Sequence, residues 1–185
     1  IKYQPKKVDE MIMNQSLKDM FNEMIETNNI SNMTFYGIAG SGKTTLAKLL
    51  PKQLNYDIHF QSCSADGCID MIKTTILNYC QLICDPNKKK IIVLDEADQL
   101  SQQAQMALRN IIVDALDNTR FILTCNYIDK IIPAVQSRCT PIKIDFSCKE
   151  VGLFILDILT KENIKYAKKD LSDFMLNVVK KQYPD

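Results

Sequence analysis

Hydrophobic positions follow two periods along this chain. Short β-type runs at Met33–Tyr36, Asp57–Gln61, Ile91–Leu94, Phe121–Thr124 and Ile142–Phe146 predict strands. Ile91-Ile92-Val93-Leu94 and Phe121-Ile122-Leu123 contain no polar position, as central parallel strands covered on both faces require. Stretches with helical spacing at Ser16–Thr27, Lys43–Leu54, Ile69–Leu82 and Gln102–Leu116 predict the intervening helices. Strands alternating with helices of this length indicate βαβ units and a parallel sheet. After Phe146 the strand pattern stops. Ser147-Cys148-Lys149-Glu150 has capping-box spacing ahead of the apolar stretch Val151–Leu159, and a second helix is predicted over Asp170–Lys181. Residues 1–146 therefore read as an α/β core and 147–185 as a small helical domain. Two helices are too few to close a core of their own, so this domain is expected to be truncated.

Composition narrows the picture. The 185 residues include 23 Lys+Arg, 22 Asp+Glu and one His, for a net charge of +1, which excludes a histone-like basic protein. No window approaches the ~20 consecutive apolar residues of a membrane helix, and no secretory signal is expected in Ile1–Lys7. The seven cysteines form no Cys-x-x-Cys pair, so with His59 alone a zinc cage would need cysteines from scattered segments. They are expected to be free thiols packed as small apolar groups. Lys88-Lys89-Lys90 reads as a solvated strand or loop end.

Glycine is the informative residue. The chain has five, and Gly37, Gly40 and Gly42 fall within one short stretch. Gly37-Ile38-Ala39-Gly40-Ser41-Gly42-Lys43-Thr44 fits G-x-x-x-x-G-K-[ST], between a predicted strand and a predicted helix. Glycines let backbone N–H groups close around phosphates, and the helix that follows offers unpaired amides and the positive end of its dipole. Lys43 can reach the β- and γ-phosphates and Thr44 can ligate Mg²⁺.

The apolar strand Ile91–Leu94 delivers Asp95 and Glu96 at its C-terminal end, where ligands sit in parallel sheets. Asp95 is the candidate for the Mg²⁺ shell, and Glu96 the candidate to orient or deprotonate a water attacking the γ-phosphate. Asn126, at the tip of the next strand, could hold that water. On sequence alone Asn126 could equally end a strand, and Arg138, between Pro133 and Pro141, could equally be a surface arginine.

Taken together these residues resemble the AAA+ ATPases of sliding-clamp loaders. The nearest resemblance is to the ATPase subunit of T4-type phage clamp loaders, followed by the small subunits of replication factor C. Lys2-Tyr3-Gln4-Pro5 resembles the family's Lys-Tyr-Arg-Pro opening, with Gln4 in place of arginine, and Val8-Asp9-Glu10 follows in the adenine-contacting segment. Asp95-Glu96-Ala97-Asp98 resembles the Walker B box, Ala104-Gln105 and Ala107-Leu108-Arg109 the helix after it, and Cys125-Asn126 sensor 1. Ser137-Arg138-Cys139 matches a motif specific to clamp loaders. Ile38-Ala39 stand where many relatives have two prolines.

The resemblance implies a P-loop AAA+ parallel sheet flanked by helices with a truncated helical lid, and ATP and Mg²⁺ as cofactors. Tyr3, Pro5, Val8, Ile12 and the run from Gly37 to Thr45 are then the nucleotide-binding residues. It further implies an open-sided pentamer that opens a sliding clamp and places it on primer–template DNA, in the cytoplasm (the host's, for a viral chain). Arg138 becomes a finger reaching the neighbouring subunit's nucleotide, and Lys73 sits where relatives face DNA with an arginine. Sensor 2 and the collar domain are expected to be absent. The rival readings are a helicase loader or branch-migration motor, which Ser137-Arg138-Cys139 argues against; a non-hydrolysing nucleotide switch, which Glu96 and Asn126 argue against; and a small-molecule kinase, which the scarcity of arginine argues against.

Overall fold

The computed structural model describes residues 3–64, 68–82, 88–115, 119–165 and 174. Within them five strands, β1 (Met33–Tyr36), β2 (Asp57–Ser62), β3 (Lys90–Asp95), β4 (Thr119–Cys125) and β5 (Thr140–Lys143), form one parallel sheet in the order β2-β3-β4-β1-β5. The helices are α1 (Gln15–Glu26), α2 (Lys43–Gln53), α3 (Cys68–Met71), α4 (Leu77–Gln81), α5 (Gln102–Asp114), α6 (Pro133–Gln136) and α7 (Cys148–Lys161).

Strand alternation sorts the core into two layers. Ile91, Val93 and Ile122 face one side with Phe21 of α1 and Leu46 and Leu50 of α2. Ile92, Leu94, Phe121 and Leu123 face the other, with Ile72, Ile76 and Leu108 and Ile112 of α5. Side-chain caps start the helices where the polar residues stand: Asn14 Oδ1 accepts from Leu17 N–H at 2.9 Å, and Ser101 Oγ from Ala104 N–H at 3.2 Å. The capping box of α7 is present with both arms, between Ser147 and Glu150.

Four expectations shift. The last strand is Thr140–Lys143, not Ile142–Phe146, because it pairs with β1 over Met33↔Thr140 to Tyr36↔Lys143 and β1 then turns into the glycine loop. Pro141 is tolerated because β5 is an edge strand. The helix expected over Ile69–Leu82 is interrupted by a π-helical stretch, Ile72–Ile76. Lys90 is not solvated: it is 5% exposed and its Nζ donates to the carbonyls of Tyr79 (3.0 Å), Cys80 (3.1 Å) and Leu82, closing the end of α4. Cys63, Cys125 and Cys139 are buried free thiols, whereas Cys148 is exposed. The helix expected over Asp170–Lys181 lies outside the described residues, Phe174 aside. Among the described residues no helix is long and apolar enough to cross a membrane.

Candidate active site

Parallel strands bring their C-terminal ends to one edge. Tyr36 pairs with Cys125, and Leu94 with Leu123, so Gly37 leaves β1 beside Asn126 and Asp95 stands level with Thr124. Gly42 caps the start of α2 at φ +86°, a left-handed conformation that glycine adopts without a Cβ penalty. Lys43 is 7% exposed, and its Nζ donates to the carbonyls of Gly37 at 2.9 Å and Ile38 at 2.6 Å. Burial lowers the Lys43 pKa from its usual value, while Cys125, Asp98 and Asp95 pull the other way. Burial likewise drives the Cys125 thiol up to about 12, so this cysteine stays neutral beside the site.

The acidic side is held by hydroxyls. Thr44 Oγ1 donates to Asp95 Oδ1 at 2.7 Å, and Thr124 Oγ1 donates to the same oxygen at 2.6 Å. Glu96 is exposed and sits at φ 57°, ψ 45°. Asp98 is 7% exposed; its Oδ2 accepts the N–H of Asn126 at 3.2 Å and of Tyr127 at 3.4 Å. A cavity of about 300 Å³ is lined by Ala39, Gly40, Gly42, Lys43, Thr44 and Thr45 on one side and by Glu96, Thr124, Cys125 and Asn126 on the other. Gly37 and Ser41 of the loop are buried: Ser41 is 2% exposed, its Oγ included.

A larger cavity of about 780 Å³ lies between the N-terminal segment and α7. Tyr3, Pro5 and Ile12 line it with Leu153 and Phe154 of α7. Tyr3 Oη donates to Glu162 at the end of α7. Val8 does not line it: it is fully buried, and its N–H donates to Gln53 Oε1 at 2.7 Å, fixing the segment to α2. Met11 lines this cavity, and its Cε stands 3.1 Å from where a Cβ on Gly42 would be.

Residues 33–146 match the family model "ATPase family associated with various cellular activities (AAA)". The chain belongs to this AAA ATPase family. Its curated relatives include a probable replication factor C subunit 5 of Dictyostelium discoideum, 32% identical over 180 residues, covering 92% of this chain and 52% of that protein. Human replication factor C subunit 5 is 39% identical over 146 residues, covering 75% of this chain and 43% of that protein. The replication factor C small subunit of Haloarcula marismortui is 36% identical over 143 residues, covering 75% and 44%. The chain thus spans about half the length of the curated relatives it matches. Among solved structures, the Thermotoga maritima RuvB Holliday junction branch migration motor superposes with a TM-score of 0.67 at 23% identity, over 88% of this chain and 56% of that one. A point variant of the same Thermotoga maritima RuvB gives a TM-score of 0.71 at 20% identity, over 94% and 59%. These likenesses concern the fold.

In this AAA ATPase the remaining candidates stand apart from the cavity. Arg138 precedes Thr140, which pairs with Met33 at the start of β1, whereas the glycine loop follows the other end of that strand. At about 3.3 Å per residue the two edges are ~13 Å apart. Arg138 Nη1 donates to Ala134 O at 2.7 Å and to Ser137 Oγ at 3.0 Å, at the rim of a separate cavity of about 590 Å³. Lys73 is exposed on the π-helical stretch.

The residues present fit a magnesium nucleotide. Gly40 and Gly42 line the cavity at φ +80° and +86°, conformations a Cβ disfavours, and the buried Lys43 brings its ammonium to the same loop. Thr44 and Asp95 bring together a hydroxyl and a carboxylate, the oxygen chemistry a hard divalent cation takes. Two residues of this site escaped the sequence reading as side chains with a task, Thr124 and Asp98. Thr124 ends a predicted strand and Asp98 closes the Walker B-like box, but only the folded structure shows which backbone groups they face.

Proposed function

We propose that this chain is the nucleotide-binding part of an ATPase subunit of a sliding-clamp loader, which uses ATP to open the clamp and place it on primer–template DNA. The observation that carries the reading is the separation of Arg138 from its own phosphate cavity by the length of β1, together with the Ser137-Arg138-Cys139 motif. An arginine on that edge serves a site presented by a neighbouring copy or subunit. The likeness to replication factor C subunits supports the same reading.

Each residue then has a role. Lys43 and the amides from Gly37 to Thr45 bind the phosphates, while Tyr3, Pro5, Val8 and Ile12 belong to the segment that holds adenine. Thr44 and Asp95 would hold Mg²⁺, which when bound neutralises phosphate charge. Asn126 orients a water, Glu96 accepts its proton as the water oxygen attacks the γ-phosphorus, and ADP departs with the bridging oxygen's electrons. Arg138 of the adjoining subunit stabilises the charge that develops. Residues 1–146 form the nucleotide-binding core and 147–185 belong to a helical lid; Lys73 contacts DNA phosphate. The assembly is a pentamer working in the cytoplasm. A T4-type phage origin rests on the sequence resemblance alone.

The test uses the full-length chain in its assembly. Arg138→Ala should leave affinity for a fluorescent ATP analogue unchanged and lower turnover by roughly 10³ or more. Mixing R138A with Glu96→Gln subunits should restore turnover at the interfaces that combine an intact Glu96 with an intact Arg138. Near-normal turnover of R138A removes the proposed role. ATPase activity indifferent to a sliding clamp and primer–template DNA assigns the chain to another AAA activity, such as branch migration.

A further inference from the structure

Thr124 is 2% exposed on the central strand, between Phe35 of β1 and Asp95 of β3. Its hydroxyl spends its only proton on Asp95 Oδ1, at 2.6 Å, and a lone pair on the N–H of Glu96, at 3.0 Å. The β3–β4 ladder has its last pair at Leu94↔Leu123, so the Glu96 amide lies beyond it and takes a side chain as partner. Glu96 also occupies the left-handed region at φ 57°, ψ 45°, which a residue with a Cβ holds only when its surroundings impose it. That conformation ends β3 after Asp95. One small hydroxyl touches both acids: the carboxylate of Asp95 and the backbone of Glu96.

We infer that Thr124 is a positioning residue for ATP hydrolysis. Its hydroxyl fixes the orientation of the Asp95 carboxylate and the strained backbone that aims Glu96. This rests on the hydrolytic reading above. The inference makes chemical demands that separate side chains of nearly equal size. Serine retains the donor and the acceptor and loses a methyl group. Valine retains the shape and loses both polar functions, leaving the part-buried Glu96 N–H without its hydroxyl partner. Alanine loses both.

The experiment compares Thr124→Ser, Thr124→Val and Thr124→Ala in the full-length chain within its assembly. Two quantities are measured: steady-state ATP turnover, and hydrogen exchange of the Glu96 amide without nucleotide. T124S should stay within about threefold of the parent in kcat, while T124V and T124A should lose about 10–100-fold, with KM for ATP changed less than about threefold. The Glu96 amide should exchange about tenfold faster in T124V and T124A than in the parent, and T124S should restore its protection. T124A keeps the comparison with T124S decisive if T124V does not fold.

Parent-like turnover in T124V, a T124S as slow as T124A, or a loss confined to KM would each overturn the inference while the hydrolytic reading stood. A parent assembly that hydrolyses no ATP overturns the hydrolytic reading, and this role with it.

Discussion

Gly37 and Ile144 meet backbone to backbone. A Cβ built on Gly37, at φ +149°, would stand 2.4 Å from the carbonyl oxygen of Ile144, whose own N–H donates to Tyr36 O at 2.8 Å. The chain leaving the edge strand thus runs directly against the first residue of the phosphate loop, and the loop's position depends on a residue more than a hundred places away in sequence.

Gly37→Ala is therefore expected to displace the loop. The obstacle is a backbone carbonyl, which cannot swing aside as a side-chain tip could. Stability should fall by about 1–3 kcal/mol, and affinity for a fluorescent ATP analogue should drop with it. Thermal melting and an analogue titration check this, and a variant that binds as the parent does would mean the loop is not the binding element.

Gln105 is a buried polar junction. It is 2% exposed; its Nε2 donates to Leu100 O at 3.1 Å and Lys130 O at 3.0 Å, and its Oε1 accepts Ile132 N–H at 2.8 Å. It ties α5 to the turn that leads from Asn126 toward α6. Gln105→Leu keeps the bulk and strands three backbone groups, so the urea midpoint should shift by the equivalent of about 2–4 kcal/mol.

The buried thiols give a pH signature. Burial pushes Cys125 and Cys139 up to about 12, from 9.0. At pH 8 their thiolate fraction is about one in ten thousand. Iodoacetamide at that pH should modify exposed Cys148 in the native protein and reach Cys125 and Cys139 only after unfolding. The folded state keeps both thiols neutral, whereas the unfolded chain ionises them near 9.0. Their contribution to stability is full below that value and is lost as pH climbs toward 12. Denaturant titrations across that range provide the measurement.

Under the proposed function, Lys73→Ala in the assembled protein should weaken DNA binding equally on all sequences. The slope of log affinity against log salt should lose about one unit. Fluorescence anisotropy at several salt concentrations reads this directly, and an unchanged slope would make Lys73 an ordinary surface lysine.

Much of the fold was legible because its signals are local. Runs such as Ile91–Leu94 need burial on both faces, and the β1 bounds follow from the apolar run ending at glycine. β5 was misplaced because its limits are set by its partner: Thr140 and Pro141 look like a turn until β1 pairs with them. Lys90 was read as solvated because sequence cannot show three carbonyls converging on one ammonium. In the site, Lys43, Thr44 and Asp95 announced themselves by motif, and Asn126 only through the family resemblance. Thr124 and Asp98 did not, because their tasks are directed at backbone amides across a strand boundary. Val8 was expected among the nucleotide contacts, yet its side chain is in the core; what it offers is an anchored amide.

With Arg138 as the proposed finger, the placement of the phosphate loop and Arg138 at opposite ends of β1 would give every copy a socket and a plug. Under the proposed function, an open row of such units completes one fewer site than it has members. At one terminus a socket goes without a plug, and at the other a plug points into solvent; a closed circle leaves neither. The number of nucleotides turned over in a single round, set against the number bound, would therefore distinguish an arc from a circle without an image of the assembly.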